Sequence, residues 1–357
     1  MRSSSHSLCQ LEKPLPDSVG HITDLKQHDG LSNVTDLGRD YGIARSASPR
    51  DDEHDGRRYT LLNTLYGPEG NRIQRFASVF YTAESRDKAL QISTLLCQLR
   101  REQQTTLKQP VRFLWDTQVA QFWVTAERST MPNVVGETRT THVTYFDVNT
   151  PIEPNEFNRV IAHEWGHLAI QAARGYTHPE SDSSGFIGEI LGLNWLLNSQ
   201  EAVKEAESAP KPTRQYVRSR EATVLQAFEK FPPGTPGFIR RDAIGMEVYA
   251  GAMVHVHRNY GWPFLGLVLK AVDTTQADAF LTAWAFVVSE QPKTTLVNHA
   301  WIPLEIGNYR LSRMLKPIDF RGPKSVELQQ GILSVRRSGW YKINCGTQPV
   351  SLQRSRQ

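Results

Sequence analysis

The residues most able to do chemistry in this sequence are the pentapeptide His163-Glu164-Trp165-Gly166-His167. On a helix, side chains four residues apart lie on one face, so the two imidazoles can bind the same cation. Zinc accepts neutral imidazole and keeps one coordination position for water in a catalytic site. Glu164 lies beside that face and can take a proton from the water and return it to a leaving group. The pattern predicts one Zn²⁺ ion per chain and hydrolytic chemistry.

The residues around the motif predict the helix that it needs. Val160-Ile161-Ala162 precedes the motif and Leu168-Ala169-Ile170 follows it, and the apolar spacing predicts a helix from Asn155 to Arg174. Such a helix is apolar on most sides. Two histidines buried there would need partners in the absence of a metal ion.

Glu189 is the first candidate for a third metal ligand. It lies in the next predicted helix, where Phe186, Leu193 and Leu196 share its face. Burying a carboxylate among apolar side chains costs several kcal/mol unless a positive charge meets it, and a zinc ion would do so. A pairing of Glu189 with an arginine is an alternative. His178 and Asp182, in the intervening loop, are rival ligands.

A strand, an HExxH helix and then a glutamate on a second helix resemble the gluzincin branch of the zincin metallopeptidases. The likeness is to thermolysin-like and aminopeptidase-like catalytic domains, and it covers about residues 80–275. It implies zinc held by His163, His167 and Glu189, with Glu164 as the general base. The metzincin continuation is excluded, because Ile170 and Ala173 stand where that family has glycine and histidine.

A weaker likeness concerns a tyrosine downstream. Many gluzincins have a tyrosine followed by a glycine and a small residue, and this tyrosine stabilises the oxyanion. Tyr249 holds that role by resemblance, although Val248 occupies the place three residues before Gly251 where the family tyrosine commonly stands. His255 and His257 are alternative donors.

Two further features bear on the substrate. The resemblance implies that the strand predicted at 141–148 is the sheet edge that pairs with an extended peptide. The chain has no segment like the Gly-x-Met-Glu-Asn of the large zinc aminopeptidases, and Gly136-Glu137-Thr138 does not match it. An endopeptidase is therefore favoured over an aminopeptidase.

The order of elements predicts an α+β, zincin-like fold, in which a small mixed sheet is followed by a helical half that carries the HExxH helix. Predicted helices cover 83–103, 155–174, 184–208, 213–230, 242–259, 263–271 and 276–290, and predicted strands cover 111–115, 119–125, 141–148, 331–335 and 340–343. Residues 1–56 are polar and predict a disordered tail. The domain prediction is this tail, a metallopeptidase domain at 57–295 and an extension with short strands at 296–357.

Composition narrows the function further. The net charge of +4 comes from scattered lysines and arginines, so no nucleic-acid partner is expected. Cys9, Cys97 and Cys345 form no CxxC pair, which argues against a disulfide framework or a cysteine-ligated zinc site. No apolar run is long enough for a membrane helix or a signal peptide. The expected location is the cytoplasm, although leaderless export leaves no mark in a sequence.

Together these observations predict a zinc metallopeptidase that hydrolyses peptide or protein substrates through a metal-activated water. The motif defines the metal and the water rather than the substrate. Two alternatives therefore stay open: a metal-dependent hydrolase of a non-peptide substrate, and a catalytically inactive zincin-fold protein that binds zinc or a partner.

Overall fold

The computed structural model describes much of the chain in separate stretches. These are residues 31–36, 41–46, 50–51, 58–66, 74–108, 119–125, 135–138, 143–147, 149–152, 154–170, 184–192, 211–235, 238, 243–272, 279–291, 293–296, 299–312, 320–321, 326–344 and 350–355. The chain divides into two compact units, one of residues 1–97 and 118–125 and one of residues 98–117 and 126–357. Helices and several sheets occur together, which is compatible with the predicted α+β class.

The first unit is built on a β-sheet. Its strands are β1 (Leu31–Asp36), β2 (Tyr41–Ser46), β3 (Arg50–Asp51), β4 (Arg58–Tyr66), β5 (Gln74–Tyr81) and β6 (Ala120–Thr125). Strands β1, β2, β4 and β5 pair in that order as antiparallel neighbours, β3 pairs with β4, and β6 joins β5 in parallel. Phe80 stacks on Trp123 at 4.1 Å between ring centroids, so the parallel pair is also held by its side chains.

Strands β1 to β3 correct the prediction for residues 1–56. The sequence predicts a disordered tail there, whereas residues 31–36, 41–46 and 50–51 are strands and Ile43 is buried. These short segments have little periodicity of their own, and their backbone groups are satisfied by pairing: β1 pairs with β2, and β2 and β3 pair with the longer strand β4. Residues 1–30 lie outside the described part of the chain.

Helix α1 (Arg86–Thr106) begins in the first unit and ends in the second. It follows a short 3₁₀ turn (Ala83–Ser85), where the Ser85 hydroxyl accepts a hydrogen bond from the Thr82 N–H. Ala89, Ile92 and Leu96 recur at helical spacing and are fully buried. The helix was predicted at 83–103, whereas the strand predicted at 111–115 lies outside the described residues.

The second unit contains a β-hairpin, the remaining helices and the C-terminal strands. Its first elements are the antiparallel strands β7 (Gly136–Thr138) and β8 (Val143–Asp147), followed by helices α2 (Pro154–Ala169), α3 (184–192), α4 (Lys211–Lys230), α5 (Ala243–Tyr260), α6 (Trp262–Ala271) and α7 (Ala279–Glu290). None of the described helices is both long and apolar enough to cross a membrane.

Two small sheets complete the second unit. Strands β9 (Thr294–Leu296), β10 (Ala300–Leu304), β11 (Gly307–Leu311), β12 (Phe320–Arg321), β13 (Val326–Gln329), β14 (Ile332–Val335), β15 (Gly339–Ile343) and β16 (Val350–Arg354) form them. One sheet has the order β10–β15–β12, and the other has the order β13–β14–β11–β16–β9.

The C-terminal strands share one hydrophobic core with the helices α3 to α7. Residues 296–357 were predicted to form a separate extension, but Ile302 and Tyr341 are as fully buried as Trp284 of α7. The Tyr260 hydroxyl at the end of α5 also donates a 2.7 Å hydrogen bond to the Trp301 carbonyl. The two units therefore divide the chain elsewhere than at the predicted boundaries after residues 56 and 295.

His255 connects α5 to the C-terminal strands. Its Nε2 accepts a 3.0 Å hydrogen bond from the Trp301 N–H, which requires a ring nitrogen without a proton. Burial, aided by the charge of Lys342, lowers the pKa of His255 from 6.5 to about 3. The imidazole is therefore neutral in the folded protein across the physiological range.

This contact predicts acid sensitivity. Below about pH 6.5, His255 binds a proton in the unfolded chain but not in the folded protein, so unfolding takes up a proton. The free energy of unfolding therefore falls as the pH is lowered from about 6.5 towards 3. The slope that His255 adds should approach about 1.4 kcal/mol per pH unit. In His255→Gln, the amide oxygen can still accept from Trp301 but does not titrate. Urea unfolding of both proteins across this range should give a shallower slope for the variant, and equal slopes would contradict the assignment.

Candidate metal centre

Helix α2 carries the HExxH motif and is fixed in rotation by its buried side. Pro154 begins the helix, and Phe157, Ile161 and Leu168 bury one side of it. The indole of Trp165, inside the motif, donates a 2.8 Å hydrogen bond to the Gln103 Oε1 of α1, and the Gln103 Nε2 donates to the Ala169 carbonyl at the helix end. The helix was predicted to continue to Arg174, and residues 171–174 lie outside the described part.

Helix α3 crosses α2 at glycines. A Cβ on Gly166 would lie 2.2 Å from the Ser184 carbonyl oxygen, and one on Gly188 would lie 2.1 Å from the Ala162 carbonyl oxygen. No side chain fits at such distances, so the two backbones approach as closely as they do only because both positions are glycine. This close approach brings Glu189, the residue after Gly188, to the face of α2 that carries the histidines.

The two histidines of the motif lie together on α2. The ring centroids of His163 and His167 are 4.6 Å apart, with an angle of 85° between the ring planes. A Cβ on Gly185 of α3 would lie 2.8 Å from the His163 Nε2 and 2.8 Å from the His167 Cε1. Glycine at 185 therefore lets both imidazole rings lie against the backbone of α3.

Glu189 is buried against this pair. Its Oε1 accepts hydrogen bonds from the Arg159 Nη1 at 2.6 Å and from the His163 Nδ1 at 2.8 Å. Only 3% of the Glu189 side chain is exposed, and its Oε2 is buried with no hydrogen-bond partner among the described residues. Glu189 is therefore paired with an arginine, which was one of the alternatives that the sequence left open. Its second carboxylate oxygen takes no part in this pairing.

The charge of Glu189 acts on His163. Burial lowers the pKa of His163, but the hydrogen bond and the charge of Glu189 outweigh burial and bring the pKa above the usual 6.5. When a carboxylate accepts a hydrogen bond from Nδ1–H, the neutral ring carries its proton on Nδ1 and keeps the lone pair of Nε2 free. This tautomer can bind a metal ion through Nε2.

Glu164 is buried beside the histidines and is held by strand β7. The Thr138 hydroxyl donates a 2.5 Å hydrogen bond to the Glu164 Oε2 and lies 2.7 Å from the Thr144 hydroxyl of β8. Burial raises the pKa of Glu164 above 4.5, and the charge of His163 and the bond from Thr138 oppose this only in part. A carboxylate with a raised pKa is suited to accept a proton and give it up again near neutral pH.

The hairpin corrects the prediction about the sheet edge. The sequence places the edge at the strand predicted at 141–148, but β8 pairs with β7, and β7 is the last strand of its sheet. Gly136 of β7 packs on α2, because a Cβ there would lie 2.8 Å from a methyl carbon of Val160. The edge nearest the motif is therefore the three-residue strand that also positions Glu164.

The predicted oxyanion donors lie in the helical core. Tyr249 is fully buried, with its ring 6.2 Å from that of Phe238 and 5.4 Å from that of Phe280. His255 accepts from Trp301 as described, and the His257 ring lies 3.8 Å from that of Trp262. These are packing environments and do not support an oxyanion role. The rival ligands His178 and Asp182 lie outside the described residues.

The donors around the motif are of the kind that bind a divalent metal ion. As they stand, no three histidine, cysteine or carboxylate side chains of the described stretches are grouped to hold one. The Glu189 Oε1 lies on Nδ1 of His163 instead. Two observations bear on a metal ion: the Glu189 Oε2 has no partner among the described residues, and the imidazole and carboxylate donors are of the kind that zinc binds. Glu164 and Glu189 are both buried, and the guanidinium that contacts Glu189, that of Arg159, is shared with Glu156.

Comparison with known proteins adds no assignment. No protein-family model matches the chain, and no curated protein matches it.

Sequence reasoning missed three residues of this site. Arg159 could have been found, since it precedes His163 by one helical turn and shares its face. Gly185 and Thr138 gave no local signal, because each matters only through a contact with another element.

Proposed function

We propose that the protein is a zinc-dependent metallopeptidase that cleaves peptide bonds inside peptide or protein chains. The observation that carries the proposal is the convergence of His163 and His167 at Gly185, next to a buried Glu189 with one unpartnered oxygen. Imidazole and carboxylate donors together favour zinc among the common divalent ions.

The roles follow from the contacts of each side chain. His163, His167 and Glu189 would hold the metal ion, and to bind it the Glu189 carboxylate would have to leave the His163 Nδ1, on which its Oε1 lies here. Zinc, when bound at such a site, acidifies a water molecule and polarises the substrate carbonyl. Glu164 accepts the proton of the attacking water and delivers it to the nitrogen of the broken peptide bond, and Thr138 orients the carboxylate for both steps.

Strand β7 provides a sheet edge beside Glu164, the proposed general base. An extended peptide that pairs with the edge of β7 would lie along the strand whose Thr138 contacts Glu164. Tyr249, which the resemblance suggests as the oxyanion donor, is buried among aromatic rings.

Metal content per chain tests the proposal, measured by elemental analysis on wild type, Glu189→Ala and a control, Glu247→Ala. The same samples are assayed for casein hydrolysis. We expect one zinc per chain and hydrolysis in wild type and control, and a loss of both in Glu189→Ala. Glu247 is a suitable control because it also pairs with an arginine, Arg220, but on helix α5.

Each other outcome has a defined meaning. Zinc and activity retained by Glu189→Ala would move the third ligand to His178 or Asp182. Zinc without casein hydrolysis would call for a panel of small amides and esters, and activity on these would identify a hydrolase of non-peptide bonds. Zinc with no hydrolysis of any substrate would indicate a binding protein, and no zinc in the wild type would reject the proposal.

A further inference from the structure

A cavity of about 380 Å³ lies between helix α7 and the C-terminal strands, and strands of both small sheets contribute to its lining. Val288, Ile302 and Leu352 are buried side chains of this lining, and Trp340 is a half-buried one. An apolar cavity of about 150 Å³ is enough to bind benzene, and small-molecule sites usually start at about 300 Å³. This cavity can therefore admit an aromatic ring together with a polar head group.

The rim of the cavity is held by backbone hydrogen bonds of residues 305 and 306. The Tyr309 hydroxyl accepts from the Glu305 N–H at 3.1 Å and donates to the Glu305 carbonyl at 2.9 Å. The Ile306 N–H donates to the Ser338 hydroxyl, and the Ile306 carbonyl accepts from the Arg354 Nη2. Since every backbone polar group of these two residues has a partner, a ligand would not have to order the rim when it binds.

The aromatic part of the lining is also fixed in place. The ring of Trp340 makes a T-shaped contact with that of Trp284, with 4.7 Å between the centroids. A Cβ on Gly234 would lie 3.4 Å from the Trp340 Cδ1, so a loop packs against the indole as well. An indole held in this way can contact an aromatic ring of a ligand without losing further freedom of its own.

Glu305 and Arg354 bring one charge of each sign to the lining. The Arg354 Nη1 donates a 2.5 Å hydrogen bond to the Glu305 Oε2, and the two side chains are 47% and 55% exposed. An ion pair this exposed contributes little to stability, so a ligand can open it at little cost. The Glu305 Oε1 takes no part in the pair, and a guanidinium has more N–H donors than the two that Arg354 uses on Glu305 and Ile306.

We propose that this cavity binds a free α-amino acid with a large apolar side chain. The side chain would lie against Trp340 and the aliphatic lining, the carboxylate on Arg354 and the ammonium on Glu305. A ligand with only a carboxylate would bring a like charge to Glu305, and one with only an ammonium would bring a like charge to Arg354. A zwitterion meets both residues with the opposite charge. The inference goes beyond the proposed function and uses no residue of the candidate metal centre.

Isothermal titration calorimetry near neutral pH, without added metal, tests the proposal with three matched probes. L-Phenylalanine carries both charges, phenethylamine lacks the carboxylate, and 3-phenylpropanoate lacks the ammonium. We expect L-phenylalanine to bind and each analogue to bind about tenfold more weakly, because each loses one charged hydrogen bond and meets one like charge. L-Alanine has the same head group without the ring and should bind more weakly than L-phenylalanine.

Two variants should change the selectivity in opposite directions. Arg354→Gln should weaken L-phenylalanine and 3-phenylpropanoate by about tenfold but not phenethylamine, whereas Glu305→Gln should weaken L-phenylalanine and phenethylamine but not 3-phenylpropanoate. A merely structural role would weaken all three probes alike. The control is Arg336→Gln, which opens another exposed arginine–glutamate pair, with Glu327, and should leave all three affinities unchanged.

The remaining outcomes decide against the proposal. No binding of L-phenylalanine by the folded wild type would overturn it. Equal affinity for L-phenylalanine and either analogue would overturn the assignment of a zwitterion. Binding unchanged in both Arg354→Gln and Glu305→Gln would place the ligand elsewhere and also overturn it. If one variant does not fold, the selectivity of the other among the three probes decides alone.

Discussion

Replacement of Glu164 by glutamine should lower the rate of casein hydrolysis by about 100- to 10,000-fold while the chain keeps its zinc. Glutamine has nearly the same shape and can still accept a hydrogen bond from Thr138, so the packing between α2 and β7 is preserved. An amide cannot take a proton from the attacking water, and the general base is lost. Because Glu164 is not among the expected ligands, elemental analysis should still find one zinc per chain.

A matched control for this variant is Glu247→Gln on α5, which changes the same group in a half-exposed ion pair and should keep full activity. Full activity in Glu164→Gln would show that another group is the base. Loss of zinc together with activity would instead make Glu164 a ligand or a support of the ligand helix, and either result would contradict the proposed mechanism.

Introduction of a single methyl group at Gly188 should disrupt the site although no polar group is changed. The new Cβ in Gly188→Ala would lie 2.1 Å from the Ala162 carbonyl oxygen and 2.8 Å from the Gly166 Cα, so α3 must move away from α2. Overpacking of this kind costs about 1–3 kcal/mol or more. Since Glu189 is the next residue, its carboxylate should move out of reach of His163, and zinc affinity should fall with stability.

Gly192→Ala provides a graded comparison on the same helix. Its Cβ would meet the Ala162 Cβ at 2.8 Å and the Leu99 side chain at 3.6 Å, both of which are side-chain atoms rather than backbone. Denaturant unfolding should therefore show a smaller loss of stability than for Gly188→Ala, and zinc titration should show a smaller loss of affinity. Equal behaviour of Gly188→Ala and wild type would mean that the helices do not cross as closely as described.

Helices were the most predictable part of the fold. The helix predicted at 213–230 is α4 at Lys211–Lys230, and those predicted at 242–259 and 263–271 are α5 and α6 within one residue at each end. Helical spacing of apolar residues is a local property, and in these segments it coincides with burial. The motif was predictable for the same reason, because the spacing of His163 and His167 already places them on one helix face.

Features that depend on distant partners were not predictable. Strands β2 and β3 owe their order to pairing with β4, β1 owes its order to pairing with β2, and the C-terminal strands are buried because helices α3 to α7 pack against them. The partners of Glu189 illustrate the same limit, since its burial could be inferred from Phe186 but the sharing of Oε1 between Arg159 and His163 could not. A single sequence contains periodicity, whereas contacts between elements arise only in the fold.

The close crossing of α2 and α3 has a consequence for recognising distant relatives of this chain. Because the crossing requires glycine at 166, 185 and 188, it constrains positions that do no chemistry as strictly as those that do. A protein with the same crossing would need His-Glu-x-Gly-His, then a connection of variable length, then Gly-x-x-Gly-Glu. Such a chain could share this centre without detectable similarity elsewhere, and the paired glycines would distinguish it from a chance occurrence of the histidine motif.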